Sequence, residues 1–278
     1  MSDRASAATV GDVNLARVLA TGRHWWPRAC LLCEQPAEHG ALCKPCAGAL
    51  PGAARERCPV CAAPLRASAA AAAACRAAPS DPGTGLHAAD CADCARLNPA
   101  FAATLAAADY RSPLAEAILA LKFGGQTNLA SGCGLLLAAA LRRTAAVAPS
   151  ERQTWEVDCL VPIPLAHARL AERGFNQAEM IAAALRRHWP ETLAVRGPPL
   201  RCRWLARRRE TQRQTALGGA ARRLNLDSGF VAAPAAAGAV VALVDDVMTT
   251  GATLDAAARA LRAAGARAVV AMVVARTP

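Results

Sequence analysis

The stretch VVALVDDVMTTGATL, at positions 240–254, decides the fold because it combines a buried strand, a polar loop and a helix start. Residues 240–244 are continuously apolar and rich in valine, as expected of a parallel strand covered on both faces. Asp245 and Asp246 follow at the carboxyl end of this strand, the edge where open α/β sheets bind ligands. Because successive strand residues point to opposite faces, we expect the two carboxylates to have different partners.

Small and hydroxyl-bearing residues follow the carboxylates and form a predicted loop that opens a helix. Thr249, Thr250, Gly251, Ala252 and Thr253 provide hydroxyl groups and closely spaced backbone N–H groups. Glycine permits a positive φ, and the N-terminus of the next helix attracts an anion. Carboxylates that bind a diol, next to a loop that binds phosphate, predict a ribose 5-phosphate site.

This segment resembles the phosphoribosyl pyrophosphate (PRPP) motif of type I phosphoribosyltransferases. The resemblance implies that Asp245 and Asp246 face the ribose hydroxyls, directly or through Mg²⁺. It also implies that residues 249–253 wrap the 5-phosphate. The alternative is a strand–loop–helix unit whose acidic pair only caps a turn, and the long run of consecutive matching positions favours the PRPP motif.

The positive charge of the chain is concentrated in one stretch. The 278 residues carry a net charge of +11, and positions 142–223 contain sixteen arginines against seven acidic residues. This distribution fits an anionic partner such as pyrophosphate or nucleic acid. A solvated basic surface in a chain biased towards arginine explains it equally well.

The hydropathy pattern argues against a membrane-spanning segment. No run of about eighteen apolar residues lacks charge. The N-terminal region contains Asp3 and Asp12 and no continuous apolar core, unlike a signal peptide. We therefore expect a cytoplasmic protein, in which disulfides are disfavoured and the twelve cysteines need another role.

Eight of the cysteines form C-x-x-C pairs, and two such pairs complete a tetrahedral Zn²⁺ site. Sequential pairing predicts two sites, one made of Cys30, Cys33, Cys43 and Cys46 and the other of Cys58, Cys61, Cys91 and Cys94. Crossed pairing of the four pairs remains open. Four thiolates leave no vacant position, which indicates structural rather than catalytic zinc. An iron–sulfur cluster is the alternative, and a redox dithiol is less favoured because no thioredoxin-like βαβ pattern surrounds these pairs.

Composition divides the chain into three parts. Residues 1–29 are a lead-in with a short helix near 12–21, and residues 30–98 are a double zinc ribbon with an Ala-rich insertion at 67–87. In the lead-in, Trp25 and Trp26 have basic neighbours, and we favour packing against the ribbon over stacking on bases. Residues 99–278 alternate strands and helices, which predicts a doubly wound α/β domain with a mostly parallel sheet of type I phosphoribosyltransferase type.

Within this larger domain the sequence predicts several elements. Ser112 and Pro113 predict a helix start, and Asn176 predicts an N-cap with Glu179 in a capping box. The predicted helices cover 113–121, 128–147, 177–188 and 252–264. The predicted strands cover 157–163, 199–204, 239–246 and 267–275.

Four motifs resemble the ComF family of competence and DNA-utilisation proteins. They are LKFGG at 121–125, VPIPL at 161–165, RGFNQA at 173–178 and RRETQRQT at 208–215. With the cysteine pairs, the resemblance covers most of residues 23–276. Residues 111–112 depart from it, because Arg-Ser stands where the family usually turns through a glycine.

The resemblance implies which residues surround a pyrophosphate group and a mobile lid. The pyrophosphate loop follows the strand that ends near 163. Lids of this kind exclude water from the site. The candidates are Lys122, Pro162, Pro164, Arg169, Arg173, Asn176 and Gln177, and in the lid Arg208, Arg209, Thr211 and Gln214. Lys122 is equally consistent with a surface lysine, and Asn176 with simple helix capping.

The family resemblance implies a PRPP-binding protein that acts in natural transformation or DNA utilisation, with single-stranded DNA and a competence helicase as partners. Structural zinc, and Mg²⁺ with PRPP, are the expected cofactors. The alternative is an active phosphoribosyltransferase of nucleotide metabolism, but the sequence reveals no nucleobase pocket and no acceptor-activating residue. A PRPP-sensing regulator is a third reading, and no helix-turn-helix pattern supports it.

Overall fold

The computed structural model describes residues 28–33, 35–37, 42–50, 52–53, 56–65, 91–147, 154–193, 196–207 and 229–278. The predicted helix near 12–21, Trp25, Trp26 and the Ala-rich insertion lie outside these residues. Among the helices in the described ranges, none is both long and apolar enough to cross a membrane.

The cysteine-rich part contains only short elements, and longer ones follow it. It has the strands β1 (Arg28–Ala29) and β2 (Pro36–Ala37) and the helices α1 (Lys44–Ala49) and α2 (Ala92–Leu97). Next come β3 (Ala103–Asp109), α3 (Leu114–Phe123), α4 (Leu129–Val147), β4 (Cys159–Pro162), α5 (His167–Arg173) and α6 (Gln177–Arg187). The chain ends with β5 (Leu205–Arg207), β6 (Phe230–Ala232), a 3₁₀ turn (Pro234–Ala236), β7 (Val240–Met248), α7 (Ala252–Ala263) and β8 (Ala268–Arg276).

A parallel sheet of four strands forms the centre of the larger domain, in the order β3–β8–β7–β4. In the register of β7, Val240 lies opposite Ala268 of β8 and Val241 lies opposite Cys159 of β4. The first five residues of β7 and the seven central residues of β8 are buried. Both strands are therefore covered on two faces, which confirms the predicted doubly wound, mostly parallel sheet.

Helices cover the two faces of this sheet. On one face, Ile118 of α3, Leu137 of α4 and Leu185 of α6 share a buried cluster with β-strand residues such as Val244. On the other face, α7 contributes residues such as Leu261 to a second cluster. Alternate residues of β7 belong to different clusters, as the period of a strand requires.

The two cysteine groups lie against opposite faces of the same sheet. Leu31, in the first group, is buried in the cluster with α4, and a side chain at Gly132 of α4 would come within 2.8 Å of it. Cys58 and Val60, in the second group, are buried in the cluster with α7. The domain division after residue 98 stays a prediction. Buried side chains of the cysteine-rich part pack together with those of the larger domain in both clusters.

Three local predictions need correction. The helix predicted from Ser112 begins at Leu114, and its N-cap is Pro113, which has no side-chain acceptor to offer. The strand predicted at 199–204 is wrong, because only Leu200 makes a bridge and the following residues turn into β5. Likewise β4 is shorter than predicted, and its apolar start at Val157 lies before the strand.

β7 continues two residues past the acidic pair, beyond the predicted end of the strand at 246. The ladder with β8 continues past both carboxylates, with Asp245 opposite Val273 and Met248 opposite Arg276. Since β8 is equally long, it keeps pairing with β7 beyond the point where the apolar run ends. The cap of α6 agrees with the sequence, because Asn176 Oδ1 accepts a hydrogen bond of 3.0 Å from the Ala178 N–H.

Candidate functional site

Two adjacent carboxylates lie near the carboxyl end of β7, and they have different partners. Asp246 is 3 % exposed, and its Oδ2 lies 2.9 Å from Nζ of Lys122 on α3. Its Oδ1 accepts a hydrogen bond of 2.7 Å from the Val247 N–H. Asp245 is partly buried, and its Oδ1 accepts from the Asp246 N–H at 2.9 Å. The structure thus brings Lys122 to the acidic pair.

The environment makes one of these carboxyl groups hard to ionise. Burial and the neighbouring charge of Asp246 raise the pKa of Asp245 from 3.8 to about 8, although the ammonium group of Lys122 lowers it. One lysine therefore does not balance two carboxylates so close together. A cation or hydroxyl donors placed there would favour the ionised form. Carboxylate oxygens coordinate Mg²⁺ and accept hydrogen bonds from sugar hydroxyls.

The polar loop after β7 is open to solvent at the start of α7. Thr249, Thr250, Ala252 and Thr253 are exposed. Gly251 has φ of +84°, a conformation that residues with a Cβ rarely adopt, and a Cβ there would displace the end of the Met248 side chain, whose Cε lies 2.5 Å away. The N-cap of α7, Gly251, offers no side-chain acceptor, and the first N–H, that of Ala252, makes only a long contact of 3.4 Å with Thr250 Oγ1. The first N–H groups of α7 and its dipole can therefore attract an anion.

Arg276, the last residue of β8, joins this loop to the second cysteine group. Its Nε donates to the carbonyl oxygen of Cys61 at 3.0 Å. Its Nη1 donates to the carbonyl oxygens of Met248, at 3.4 Å, and of Thr249. The sequence analysis missed this arginine. In the sequence, only its position at the end of a long apolar run distinguishes it.

The residues after β4 contact both the end of their own strand and α3. Asn176 Nδ2 donates to the carbonyl oxygen of Ile163 at 3.1 Å, so Asn176 both caps α6 and fixes the end of β4. Arg173 donates to buried Gln177, and its guanidinium lies 5.2 Å from the ring centre of Phe123.

The other candidates of this segment lie on either side of it. Pro162 is buried at the end of β4, Pro164 is partly exposed, and Arg169 is exposed on α5. Arg207 of β5 donates to the carbonyl oxygen of Pro164 at 2.9 Å. The lid candidates Arg208, Arg209, Thr211 and Gln214 lie outside the described residues, in the segment whose two ends are joined by the antiparallel pair β5–β6.

The eight C-x-x-C cysteines form two groups, and the grouping is sequential. In each group the four sulfur atoms lie within 4.8 Å of one another, which excludes the crossed pairing. The first group contains Cys30, Cys33, Cys43 and Cys46, and the second contains Cys58, Cys61, Cys91 and Cys94. In the second, a hydrogen bond from Cys61 lowers the pKa of Cys58 to about 4, which favours its thiolate form. Both groups could hold zinc.

A buried ion pair fixes the second cysteine group to the end of β3. Arg57 Nη2 lies 2.6 Å from Asp109 Oδ1, and the two side chains are 12 % and 2 % exposed. The same guanidinium donates to the carbonyl oxygens of Gly52 and Ala62, each at 3.0 Å. The sequence analysis did not single out this pair, because its two residues lie far apart in the chain.

Comparisons with known proteins agree with this architecture. Residues 205–278 match the family model of the phosphoribosyl transferase domain, so the parallel sheet is of phosphoribosyltransferase type. DNA utilization protein YhgH of Salmonella typhimurium is 30 % identical over 264 residues, which cover 90 % of this chain and 98 % of the relative. The protein of the same name from Escherichia coli K12 is 29 % identical over 260 residues, with the same two coverages.

A second kind of relative has a competence name. Competence protein F of Haemophilus influenzae is 31 % identical over 182 residues, which cover 64 % of this chain and 75 % of the relative. The order of the motifs, the two cysteine groups and these identities lead to one conclusion. The chain belongs to the ComF family of competence and DNA-utilisation proteins.

Proposed function

We propose that this protein binds PRPP or a related ribose phosphate with Mg²⁺, and that it acts in DNA uptake or DNA utilisation in contact with single-stranded DNA. One observation carries the first half of the proposal. Asp245 and Asp246 lie near the carboxyl end of β7, two residues before an exposed loop that leads into the start of α7. Carboxylates for a diol and N–H groups for a phosphate are therefore a short distance apart, as in a ribose 5-phosphate.

The acidic pair would hold the ribose hydroxyls, directly or through Mg²⁺. Asp245, whose pKa is raised to about 8, is the group that gains most from a bound cation. Residues 249–253 would hold the 5-phosphate through backbone N–H groups and threonine hydroxyls. Lys122, Arg169 and Arg173 are cations on the elements around the pair and would attract the pyrophosphate group.

The second half of the proposal rests on the relatives and on charge. Two of the relatives are named for DNA utilisation and one for competence. The excess of positive charge between positions 142 and 223 would attract a nucleic-acid backbone. The cysteine groups would hold one zinc ion each in a reducing compartment, and we propose the cytoplasm.

Thermal unfolding with and without PRPP and Mg²⁺ tests the ribose-phosphate site. We expect the ligand to raise Tm of the wild-type protein, because it binds only the folded state. The double variant Asp245→Asn/Asp246→Asn should show no rise. Glu116→Gln removes an exposed carboxylate of α3 and should keep the full rise. An unchanged Tm of the wild-type protein would refute the ligand assignment.

A second variant covers the case in which the double variant folds poorly. Thr253→Glu places a negative charge in the exposed first turn of α7, where it is compatible with the helix dipole. Folding should be unaffected, but the carboxylate would repel the phosphate. If Thr253→Glu responds to PRPP like the wild-type protein, the phosphate does not bind at this loop.

Metal analysis tests the zinc assignment. We expect about two zinc ions per chain, since each group offers four thiolates. Cys58→Ser should remove one of them and leave the first group loaded. About one zinc ion in the wild-type protein would reject one of the two sites.

An active phosphoribosyltransferase is the second candidate, and the match of residues 205–278 to that domain favours it. The carboxylates would then stabilise a positive ribose while pyrophosphate leaves. Release of pyrophosphate from PRPP, measured across a panel of nucleobases, would establish this activity. Release that is independent of added base and of Asp245 would reject it.

A further inference from the structure

Phe123 is the large apolar side chain with the highest exposure in the described part of the chain, and it lies beside the candidate site. It is 75 % exposed at the last residue of α3. The preceding residue, Lys122, points inward to Asp246. Because successive helix residues point about 100° apart, the ring points away from the core at the same edge of the sheet. Leaving a phenylalanine this exposed forgoes most of the stabilisation that burial of the ring would give.

The surroundings of the ring are apolar and positively charged. The guanidinium of Arg173 lies over one face of the ring, 5.2 Å from its centre. Leu119, one turn before Phe123, and Leu170, one turn before Arg173, are 44 % and 41 % exposed. Three of the five exposed large apolar side chains in the described residues thus lie on α3 and α5. Exposed apolar groups that gather in this way mark a binding surface.

We propose that Phe123, with Arg173 beside it, is a stacking platform for a base of single-stranded DNA. This inference rests on the proposed function, since it names the surface that contacts the strand. Arg173 occupies one side of the ring, and the high exposure leaves the rest of it to a flat ligand. Aromatic rings flanked by cations bind single strands in this way, because every base has a face to stack and the phosphates need positive charge.

The openness of the platform selects a strand over a free nucleobase. A small ligand gains affinity from a concave pocket that covers most of its surface. A side chain that is 75 % exposed gives no such enclosure. A strand overcomes this by adding phosphate contacts on either side, and Arg169 is exposed four residues before Arg173 on α5. The charge complementarity therefore favours nucleic acid over a second copy of this chain.

Fluorescence anisotropy with a labelled thymidine strand of about 20 nucleotides tests the platform. We expect Phe123→Ala to weaken binding about tenfold, and Phe123→Trp to retain it, since a tryptophan ring also stacks. Leu97→Ala is the matched control. Leu97 is 55 % exposed, and its neighbour Asn98 contacts Arg259 on the α7 side of the sheet. That variant should bind like the wild-type protein.

An abasic strand of the same length separates stacking from charge. The wild-type protein and Phe123→Ala should bind this strand equally, because it keeps the phosphates and lacks the bases. Equal affinities of both proteins for the thymidine strand would overturn the platform and leave the proposed DNA contact standing. A wild-type protein that binds neither strand at low salt would overturn the DNA contact itself, whatever the response to PRPP.

Two further results would assign the ring to another occupant. If Phe123→Ala weakens competition by thymidine monophosphate and leaves strand binding unchanged, a free nucleotide occupies the ring. If it abolishes a concentration-dependent dimer and leaves strand binding unchanged, a second copy of the chain does. Either result would overturn the proposal.

Discussion

Replacing Asp245 with asparagine should flatten the dependence of stability on pH. The pKa of Asp245 is raised from 3.8 to about 8 in the folded, ligand-free chain, chiefly by burial and then by the charge of Asp246. Between these two values the unfolded chain has lost the proton and the folded chain keeps it. Stability therefore falls as pH rises from about 4 to about 8 and is level above that range.

The size of this effect follows from the shift. At about 1.4 kcal/mol for each unit of pH, the wild-type protein would lose nearly 3 kcal/mol between about pH 5 and pH 7. Asp245 is partly exposed, and screening by solvent reduces the expected loss to about 1–2 kcal/mol. Asparagine has nearly the same shape and can still accept the hydrogen bond from the Asp246 N–H.

Urea unfolding of the purified protein in Mg²⁺-free buffer, at several pH values, measures the effect. The free energy of unfolding of Asp245→Asn should exceed that of the wild-type protein at pH 7, and the two should converge near pH 4. Glu116→Gln, at an exposed position of α3, should follow the wild-type curve. Parallel curves for the wild-type protein and Asp245→Asn would refute the reasoning, because the carboxyl group would then titrate alike in both states.

Three further predictions concern packing and connections. Arg57→Ala removes the buried ion pair with Asp109 and two hydrogen bonds to backbone carbonyls and should cost about 3–5 kcal/mol in urea unfolding, whereas Arg96→Ala, in a pair that is 73 % and 79 % exposed, should cost less than about 1 kcal/mol. Gly134→Ala would place a Cβ on α4 only 2.4 Å from the Cβ of Ala184 on α6 and should lower the free energy of unfolding by about 1–3 kcal/mol. A Cβ at Gly229 would meet no atom within 4 Å, so Gly229→Ala should leave the stability unchanged. Arg276→Met should lower Tm and reduce the stabilisation by PRPP, because the phosphate loop loses its contact with the second cysteine group; an undiminished response to PRPP would contradict this.

The fold could be predicted because its strongest signals are local. The apolar run before Asp245 predicts a buried parallel strand, and the regular alternation of strands and helices predicts the doubly wound sheet. The same holds for Asn176, whose capping role needs only its neighbours in sequence. The sequence leaves the cysteine grouping open between sequential and crossed pairing, because spacing alone does not tell which pairs meet in space.

Other features escaped prediction because they depend on distant parts of the chain. The length of β7 past the acidic pair is set by its partner β8, and no pattern within β7 reveals it. The partners of Arg276 and Arg57 are backbone carbonyls and a carboxylate brought near by folding. Phe123 reads as an ordinary helix residue in the sequence, and only its exposure distinguishes it.

The contacts across the predicted domain division argue that the cysteine groups support the site rather than form a separate module. Small metal-binding segments have little core of their own, and here their buried residues join the clusters on either side of the sheet. On the α7 side, Cys61 is joined to the loop after β7 through Arg276, and Arg57 is joined to the end of β3 through Asp109. A metal ion that fixed the thiols of the second group would also fix these two arginines. Loss of that metal should therefore loosen residues 249–253 before it unfolds the sheet, and hydrogen exchange of their amides would detect this.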